Sequence, residues 1–257
     1  MRGQRQTVFA TLLVAALVPV PTGVADDTPP GAGDYRDGYE DPEFRTQSRR
    51  LLSEGQSLDL IGLVANPPAG LPPVPVPEDS PLTRAGVQLG RKLFFDRRLS
   101  PNNTMSCAMC HVPEQGFANN EMQTAVGIGG RAVRRNAPTV LNSAYLQRLF
   151  VDGRETSLET QVWSPLLAAN EMGNPSVGAV IEKIEGLADY AGLFDEAFDR
   201  GPGMETIGMA LASYQRALLA GASPFDRWNR DRDETALSDE ARRGHKLFIG
   251  KALCSAC

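Results

Sequence analysis

The sequence lacks the long apolar runs of a membrane protein and the basic excess of a nucleic-acid-binding protein. Its longest apolar run, Val8 to Val18, is well short of the roughly 20 residues that a membrane-spanning helix needs. The 26 lysines and arginines are outnumbered by 31 aspartates and glutamates, and the net charge is -5. We therefore expect neither a membrane partner nor a nucleic-acid partner.

Histidine and the alternating pattern of β-strands are scarce as well. The whole chain has two histidines, His111 and His245, and apolar residues rarely alternate with polar ones. Apolar residues instead recur at helical spacing in several stretches: Thr83 to Asp96, Leu158 to Leu167, Val177 to Leu187, and Glu205 to Ala220. The predicted fold class is mostly α, with long loops.

The N-terminal residues have the pattern of an export signal. Two arginines precede the apolar run, and the small residues Gly23-Val24-Ala25 follow it, as in a secretory signal peptide. We expect residues 1–25 to be removed and the mature protein to reach the periplasm. Residues 26–80 are then an N-terminal arm, with a short helix from Pro42 to Leu52, and a strap that its prolines keep extended.

An internal repeat predicts two domains. The segment LGRKLFFD at 89–96 matches RGHKLFIG at 243–250, and a Cys-x-x-Cys pair follows each copy. Such a repeat indicates one supersecondary unit used twice. We predict a first domain at 81–232 and the start of a second domain, truncated after its first helix, at 233–257.

The same repeat gives expectations for single residues. Ser238 is the expected N-cap of the helix in the second copy, and Ser80 or Thr83 is that of the first. His245 occupies the position of Arg91 in the first copy, which is expected to face solvent.

The first cysteine pair is followed at once by a histidine, in Cys107-Ala-Met-Cys110-His111. Two disulfides, or a zinc site shared by both pairs, are the alternatives. A disulfide within Cys-x-x-Cys closes too small a loop to stabilise the chain much, and neither alternative uses His111. A c-type haem uses all three residues, because the thiols bind two vinyl groups of the porphyrin and the imidazole binds the iron. We therefore predict a covalent haem at Cys107, Cys110 and His111.

The second pair, Cys254 and Cys257, ends the sequence one residue before the position of the corresponding histidine. We expect these thiols to bind a second c-type haem in a longer form of the protein, with histidine as the next residue.

Five motifs in order resemble the bacterial di-haem cytochrome c peroxidase/MauG family. They fall within residues 72–257 and read LGRKLFFDRRLS, SCAMCH, RRNAPTVLN, FVDGRETSLETQ and PLLAANEMG. The resemblance implies two tandem cytochrome c-type domains and two covalently bound c-type haems. It also implies an exported peroxidase whose N-terminal haem is the peroxide site and whose C-terminal haem relays electrons.

The resemblance assigns roles to four residues. His111 would be the proximal ligand, Gln161 and Glu171 would form the distal pair, and Asn136 would help to hold a calcium ion between the domains. Cleaving an O–O bond needs a base for one proton and an acid for the leaving oxygen, and one carboxylate can be both; Gln161 would orient the peroxide. The alternatives are a solvated acid at Glu171 and a turn residue before Pro138 at Asn136.

Two departures from the family pattern affect the expected chemistry. Residues 125–130, AVGIGG, contain no histidine where many members carry one that caps the resting iron, so the sixth coordination position should be open, as in MauG. Val151 stands where the family usually has a tryptophan that bridges the haems. Trp163 is the candidate substitute, and a core residue is its alternative.

The expected substrate is hydrogen peroxide. It would be reduced with electrons from a small cytochrome or copper protein, or used to oxidise an aromatic residue of a partner protein; a homodimer is compatible with the sequence. The alternative function is a non-catalytic electron-transfer c-type cytochrome, in which Met122 or Met172 fills the sixth position on the iron.

Overall fold

The computed structural model describes residues 58–256. The predicted signal peptide, most of the N-terminal arm with its helix from Pro42 to Leu52, and Cys257 lie outside the described residues. Within residues 58–256 the chain forms nine α-helices joined by long loops and short 3₁₀ turns, and its only strand-like features are three isolated β-bridges. The predicted mostly α fold is confirmed.

The helices occur in this order: α1 (Leu60–Ala65), α2 (Arg84–Phe95), α3 (Leu158–Gln161), α4 (Trp163–Leu167), α5 (Val177–Glu185), α6 (Leu193–Phe198), α7 (Met204–Arg216), α8 (Pro224–Asp231) and α9 (Asp239–Ile249). Between residues 58 and 256, none of these helices has the length and apolar character needed to cross a membrane.

The capping residues account for where two of the predicted helices begin. Thr83 Oγ1 accepts a hydrogen bond of 3.0 Å from the Gly86 N–H, so Thr83 and not Ser80 caps α2. Ser238 Oγ accepts one of 3.2 Å from the Ala241 N–H and caps α9 as predicted.

The core is centred on the crossing of α2 and α7. A β-carbon at Gly90 would overlap the carbonyl oxygen of Ala210, so only glycine allows the two helices to approach this closely. Phe94 of α2 packs its ring 5.2 Å from that of Tyr214 of α7, and the His111 ring lies 6.4 Å from Phe94. The core therefore supports the segment that carries the first cysteine pair.

A buried ion pair holds α3 on α7. Arg216, which is 5% exposed, donates from Nη1 to Glu159 Oε1 at 2.6 Å and from Nη2 to Oε2 at 3.0 Å. Burial by itself raises the pKa of Glu159, but the hydrogen bonds from Arg216 and Ser157 lower it to about 2. Glu159 is therefore ionised at neutral pH, and α3, whose last residue is Gln161, is fixed on α7.

The prediction that His245 faces solvent is wrong. Its ring is half-buried and lies 5.3 Å from Phe225 and 5.2 Å from Trp228, both on α8. The two aromatic rings provide an apolar surface that α9 covers with His245. The predicted domain boundary at 232/233 lies in the loop between these two helices and stays a prediction.

Candidate functional site

The first Cys-x-x-Cys-His motif forms one tight 3₁₀ turn. The amides of Cys110 and His111 both donate to the Cys107 carbonyl, at 3.1 and 2.9 Å. Both thiols are partly buried, and among residues 58–256 the three described cysteines, Cys107, Cys110 and Cys254, are all free. The two sulfurs and the imidazole are thus presented from one turn.

A buried serine shapes the loop that leads into this turn. Ser100 Oγ accepts hydrogen bonds from the N–H groups of Thr104 at 3.0 Å and Met105 at 2.9 Å. Lys183 Nζ donates to the Ser100 carbonyl at 2.6 Å and to Asn103 Oδ1 at 2.7 Å. The sequence pattern did not identify Ser100 or Lys183, because local periodicity does not reveal hydrogen bonds to backbone atoms or, as for Lys183 and Asn103, to a residue far away in the chain.

His111 is prepared as a neutral ligand. Its Nδ1 lies 2.9 Å from the Pro138 carbonyl oxygen and 3.2 Å from that of Phe117. A carbonyl oxygen only accepts, so Nδ1 carries the proton and the lone pair lies on Nε2. Burial lowers the pKa of His111, despite the two carbonyls. The imidazole is therefore neutral near neutral pH, and Nε2 carries the lone pair that could bind a metal.

The two thiols do not have the acidity of a redox-active pair. Burial raises the pKa of Cys107 to about 12. Burial also raises the pKa of Cys110, and the negative charge of Glu171 raises it further. Reactive Cys-x-x-Cys pairs have lowered thiol pKa values, so these two thiols lack the acidity that dithiol exchange uses.

Glu171 lies on a tight turn between α4 and α5 and acts electrostatically on Cys110. Its side chain is partly buried, and this burial raises the pKa of the carboxyl group, while the charge of Arg154 opposes the rise. A carboxyl group with a raised pKa can exchange a proton near neutral pH more readily than a solvated one. The structure thus brings Glu171 to the side of the cysteine motif.

Arg154, in the motif FVDGR, is a charged neighbour of Glu171. No sequence pattern indicated this role. The Arg154 guanidinium lies 3.5 Å from the centre of the Phe150 ring, and Nη1 donates to Asp152 at 2.8 Å. These contacts fix the positive charge that acts on Glu171.

Gln161 is the half-buried last residue of α3, and its N–H donates to the Ser157 carbonyl at 3.0 Å. No hydrogen bond joins its side chain to Glu171 within the described part of the chain. The role of the two residues as a distal pair stays a prediction.

The loop that lacks the family's histidine packs directly on the Glu171 turn. Ile128 N–H donates to the Glu171 carbonyl at 2.8 Å, and Arg131 Nη1 donates to the Ala169 carbonyl at 2.8 Å. A β-carbon at Gly127 would overlap the carbonyl oxygen of Asn170. The loop therefore covers the backbone of the turn with glycine and apolar residues and brings no imidazole to it.

Asn136 is exposed and organises the neighbouring loop. Its Nδ2 donates to the carbonyls of Asn119 at 2.9 Å and Met122 at 3.2 Å, so the amide nitrogen is engaged and Oδ1 remains for a ligand. Residues 58–256 contain no cluster of three or more histidine, cysteine, aspartate or glutamate side chains placed to hold a metal ion. A calcium ion at Asn136 stays a prediction.

The candidates for the bridging tryptophan and for a methionine ligand differ in how deeply they are buried. Trp163 is 5% exposed and belongs to the main core, whereas Val151 is 75% exposed. Met172 is 4% exposed and is also packed in the core, and Met122 is 45% exposed. Trp163 and Met172 thus have the packing of core residues.

A c-type haem fits the residues present. The two free thiols and the neutral imidazole come from one turn, and the lone pair of Nε2 has no partner among the described hydrogen bonds of His111. The two cysteines pack against the hydrophobic core together with the partly buried apolar residues Ala108, Phe117, Ile128 and Leu141. These are the donor set and the apolar surroundings that a haem attached through thioethers uses.

Comparisons with known proteins agree with this arrangement. The family model described as di-haem cytochrome c peroxidase matches residues 84–234. The methylamine utilization protein MauG of Methylorubrum extorquens is 44% identical over 186 residues, which cover 72% of this chain and 52% of the relative. The cytochrome c peroxidase Ccp of Escherichia coli is 36% identical over 186 residues, covering 72% of this chain and 39% of the relative.

Solved structures share the fold. A MauG-like protein associated with microbial copper homeostasis superposes with a TM-score of 0.67 at 32% identity, covering 75% of this chain and 57% of that one. The diheme peroxidase BthA of Burkholderia thailandensis superposes with a TM-score of 0.60 at 26% identity, covering 68% and 50%. The chain spans about half the length of the curated relatives it matches. By its motifs, its fold and the matched model, the chain belongs to the di-haem cytochrome c peroxidase family.

Proposed function

We propose that this chain provides the peroxide-reactive half of an exported di-haem c-type peroxidase. The observation that carries the proposal is the position of Glu171, a partly buried carboxyl group with a raised pKa whose charge acts on Cys110 of the haem-attachment motif. Relatives named as cytochrome c peroxidase and MauG support the assignment of the chemistry.

The first haem would be held by three residues. Cys107 and Cys110 would form the thioethers and His111 Nε2 would bind the iron, with the His111 Nδ1–H oriented by the Pro138 carbonyl. A haem held there would supply the redox chemistry that cleaves the O–O bond of hydrogen peroxide.

Glu171 moves the proton. Its carboxylate accepts a proton from one oxygen of hydrogen peroxide and delivers it to the other, which leaves as water. The Gln161 amide orients the peroxide. Because residues 125–130 contain no histidine, no imidazole of this loop would compete with peroxide.

Two electrons and two protons convert each peroxide into two waters. We propose that a small cytochrome or copper protein donates the electrons, or that an aromatic residue of a partner protein does so and is itself oxidised. Cys254 and Cys257 would attach the relaying haem of the second domain, and Asn136 would contribute to a calcium site between the domains.

The proposal is tested by mixing the ferric, haem-loaded chain with hydrogen peroxide in a stopped-flow spectrometer. Glu171→Gln should slow the absorbance change by about a hundredfold or more, because the amide cannot accept the proton. Glu185→Gln, on the exposed end of α5, is the matched control and should leave the rate unchanged. A low-spin spectrum that hydrogen peroxide does not alter would instead establish the electron-transfer cytochrome.

A further inference from the structure

Asn174 is a buried amide that the proposed chemistry does not use. The residue is 5% exposed, and its Nδ2 donates to the carbonyls of Leu99 at 2.8 Å and Leu166 at 2.9 Å. Both amide hydrogens therefore bind backbone carbonyls of two other segments. An apolar residue here would leave two buried carbonyls without these donors, which is costly.

One of these segments leads to the haem-attachment motif. Leu99 immediately precedes Ser100, whose Oγ accepts from the N–H of Met105 at 2.9 Å. Cys107 follows two residues later. Asn174 therefore binds the loop whose conformation determines where the 3₁₀ turn of Cys107 begins.

Backbone hydrogen bonds of Asn174 and Met172 close the turn that carries Glu171. The Asn174 N–H donates to the Leu166 carbonyl at 3.0 Å, and the N–H of Met172 donates to Pro165 at 3.1 Å. Gly173 completes the reversal with a φ of +72°, a conformation that favours glycine. Glu171 thus lies three residues before the amide that fastens the turn to the haem-attachment loop.

We infer that Asn174 is a positioning residue that sets the distance between the Glu171 carboxyl group and the haem held by Cys107, Cys110 and His111. The inference rests on the proposed role of Glu171. The Asn174 hydrogen bond to Leu99 directly connects the haem-attachment loop to the turn. A displacement of about 1 Å at a reacting group costs about a hundredfold in rate. The hydrogen bonds of Asn174 should therefore affect the reaction rate as well as the stability of the protein.

Cyanide association with the ferric, haem-loaded chain tests this inference without turnover. Hydrogen cyanide loses its proton as it binds to iron, so a well-placed base accelerates association. Asn174→Ala should slow association by about tenfold or more. The control is Thr206→Val, which removes a hydrogen bond of 3.0 Å from a residue that is 2% exposed, at the start of α7. This variant should lose stability but keep the association rate within about twofold of the parent.

A double-mutant cycle shows whether Asn174 acts through Glu171. If it does, adding Asn174→Ala to Glu171→Gln should slow cyanide association little further, whereas independent effects would multiply. Multiplied effects, or an unchanged rate in Asn174→Ala alone, would overturn the inference. Asn174→Ser, which keeps one donor, replaces the alanine variant if that one does not fold. If Glu171→Gln itself leaves the association rate unchanged, the proposed function of Glu171 fails. This outcome is distinguishable from multiplied effects, which would overturn only the role of Asn174.

Discussion

Glu171 is a carboxylic acid that the fold holds partly out of water, and this has a thermodynamic cost as well as a chemical use. Burial raises its pKa above the usual 4.5, and the charge of Arg154 offsets part of the rise. Below the pKa of the unfolded chain the carboxyl is protonated in both states. As the pH rises through the folded pKa, the folded protein must ionise a buried group, so this residue contributes progressively less to stability.

Because burial raises the pKa of Glu171, we predict that Glu171→Gln stabilises the protein near neutral pH. The gain should shrink as the pH is lowered and vanish below the usual pKa of 4.5, because the carboxyl is then protonated in both the unfolded and the folded state. Urea unfolding at several pH values measures it, with Glu185→Gln as an exposed control. A Glu171→Gln variant that is less stable at neutral pH than in acid, relative to the parent, would contradict the environment assigned to Glu171.

At the scale of elements, helices and loops differ in how well the sequence predicts them. The apolar spacing of 83–96 and 205–220 predicts α2 and α7, because each helix buries one face and the periodicity records that face. The contacts that build the site are of another kind. Ser100, Asn174 and the Glu159–Arg216 pair bind partners that are distant in the chain or belong to the backbone, and no local pattern encodes such contacts.

The proposed haem site at Cys107-x-x-Cys110-His111 can be read from the sequence, because a c-type haem would impose this spacing. The partners of Nδ1, the carbonyls of Phe117 and Pro138, cannot, since any residue supplies a carbonyl oxygen. The surroundings of His245 could not be predicted from the sequence either. Its position in the repeat indicated an exposed side chain, but Phe225 and Trp228 of a different helix cover it.

The pairing of α3 with α7 gives a prediction about an element. Arg216→Ala should destabilise the protein by about 3 kcal/mol, because it leaves the carboxylate of Glu159 enclosed without its partner. Arg200→Ala is the control, since Arg200 and Glu205 form an ion pair between side chains that are 51% and 77% exposed, and it should cost less than about 1 kcal/mol. Chemical denaturation of both variants measures the difference. Equal losses would contradict a structural role for the buried pair.

At the scale of the whole molecule, the sequence contains two Cys-x-x-Cys pairs. Cys107 and Cys110 with His111 are the residues of the proposed first haem site, and Cys254 and Cys257 are the thiols of the proposed second one. The relatives are about twice as long as the matched region. The proposal is therefore tested first at the site whose two thiols and imidazole the structure describes, Cys107, Cys110 and His111.

The most direct measurement is the mass and colour of the denatured protein, purified from cells that attach c-type haem. The account predicts a pigment that survives denaturation and acid acetone, with a mass increase of one haem on the peptide containing Cys107 and Cys110. The pigment on that peptide should be absent from the Cys107→Ala/Cys110→Ala variant. A colourless parent protein, or a pigment that acid acetone extracts from it, would contradict the account.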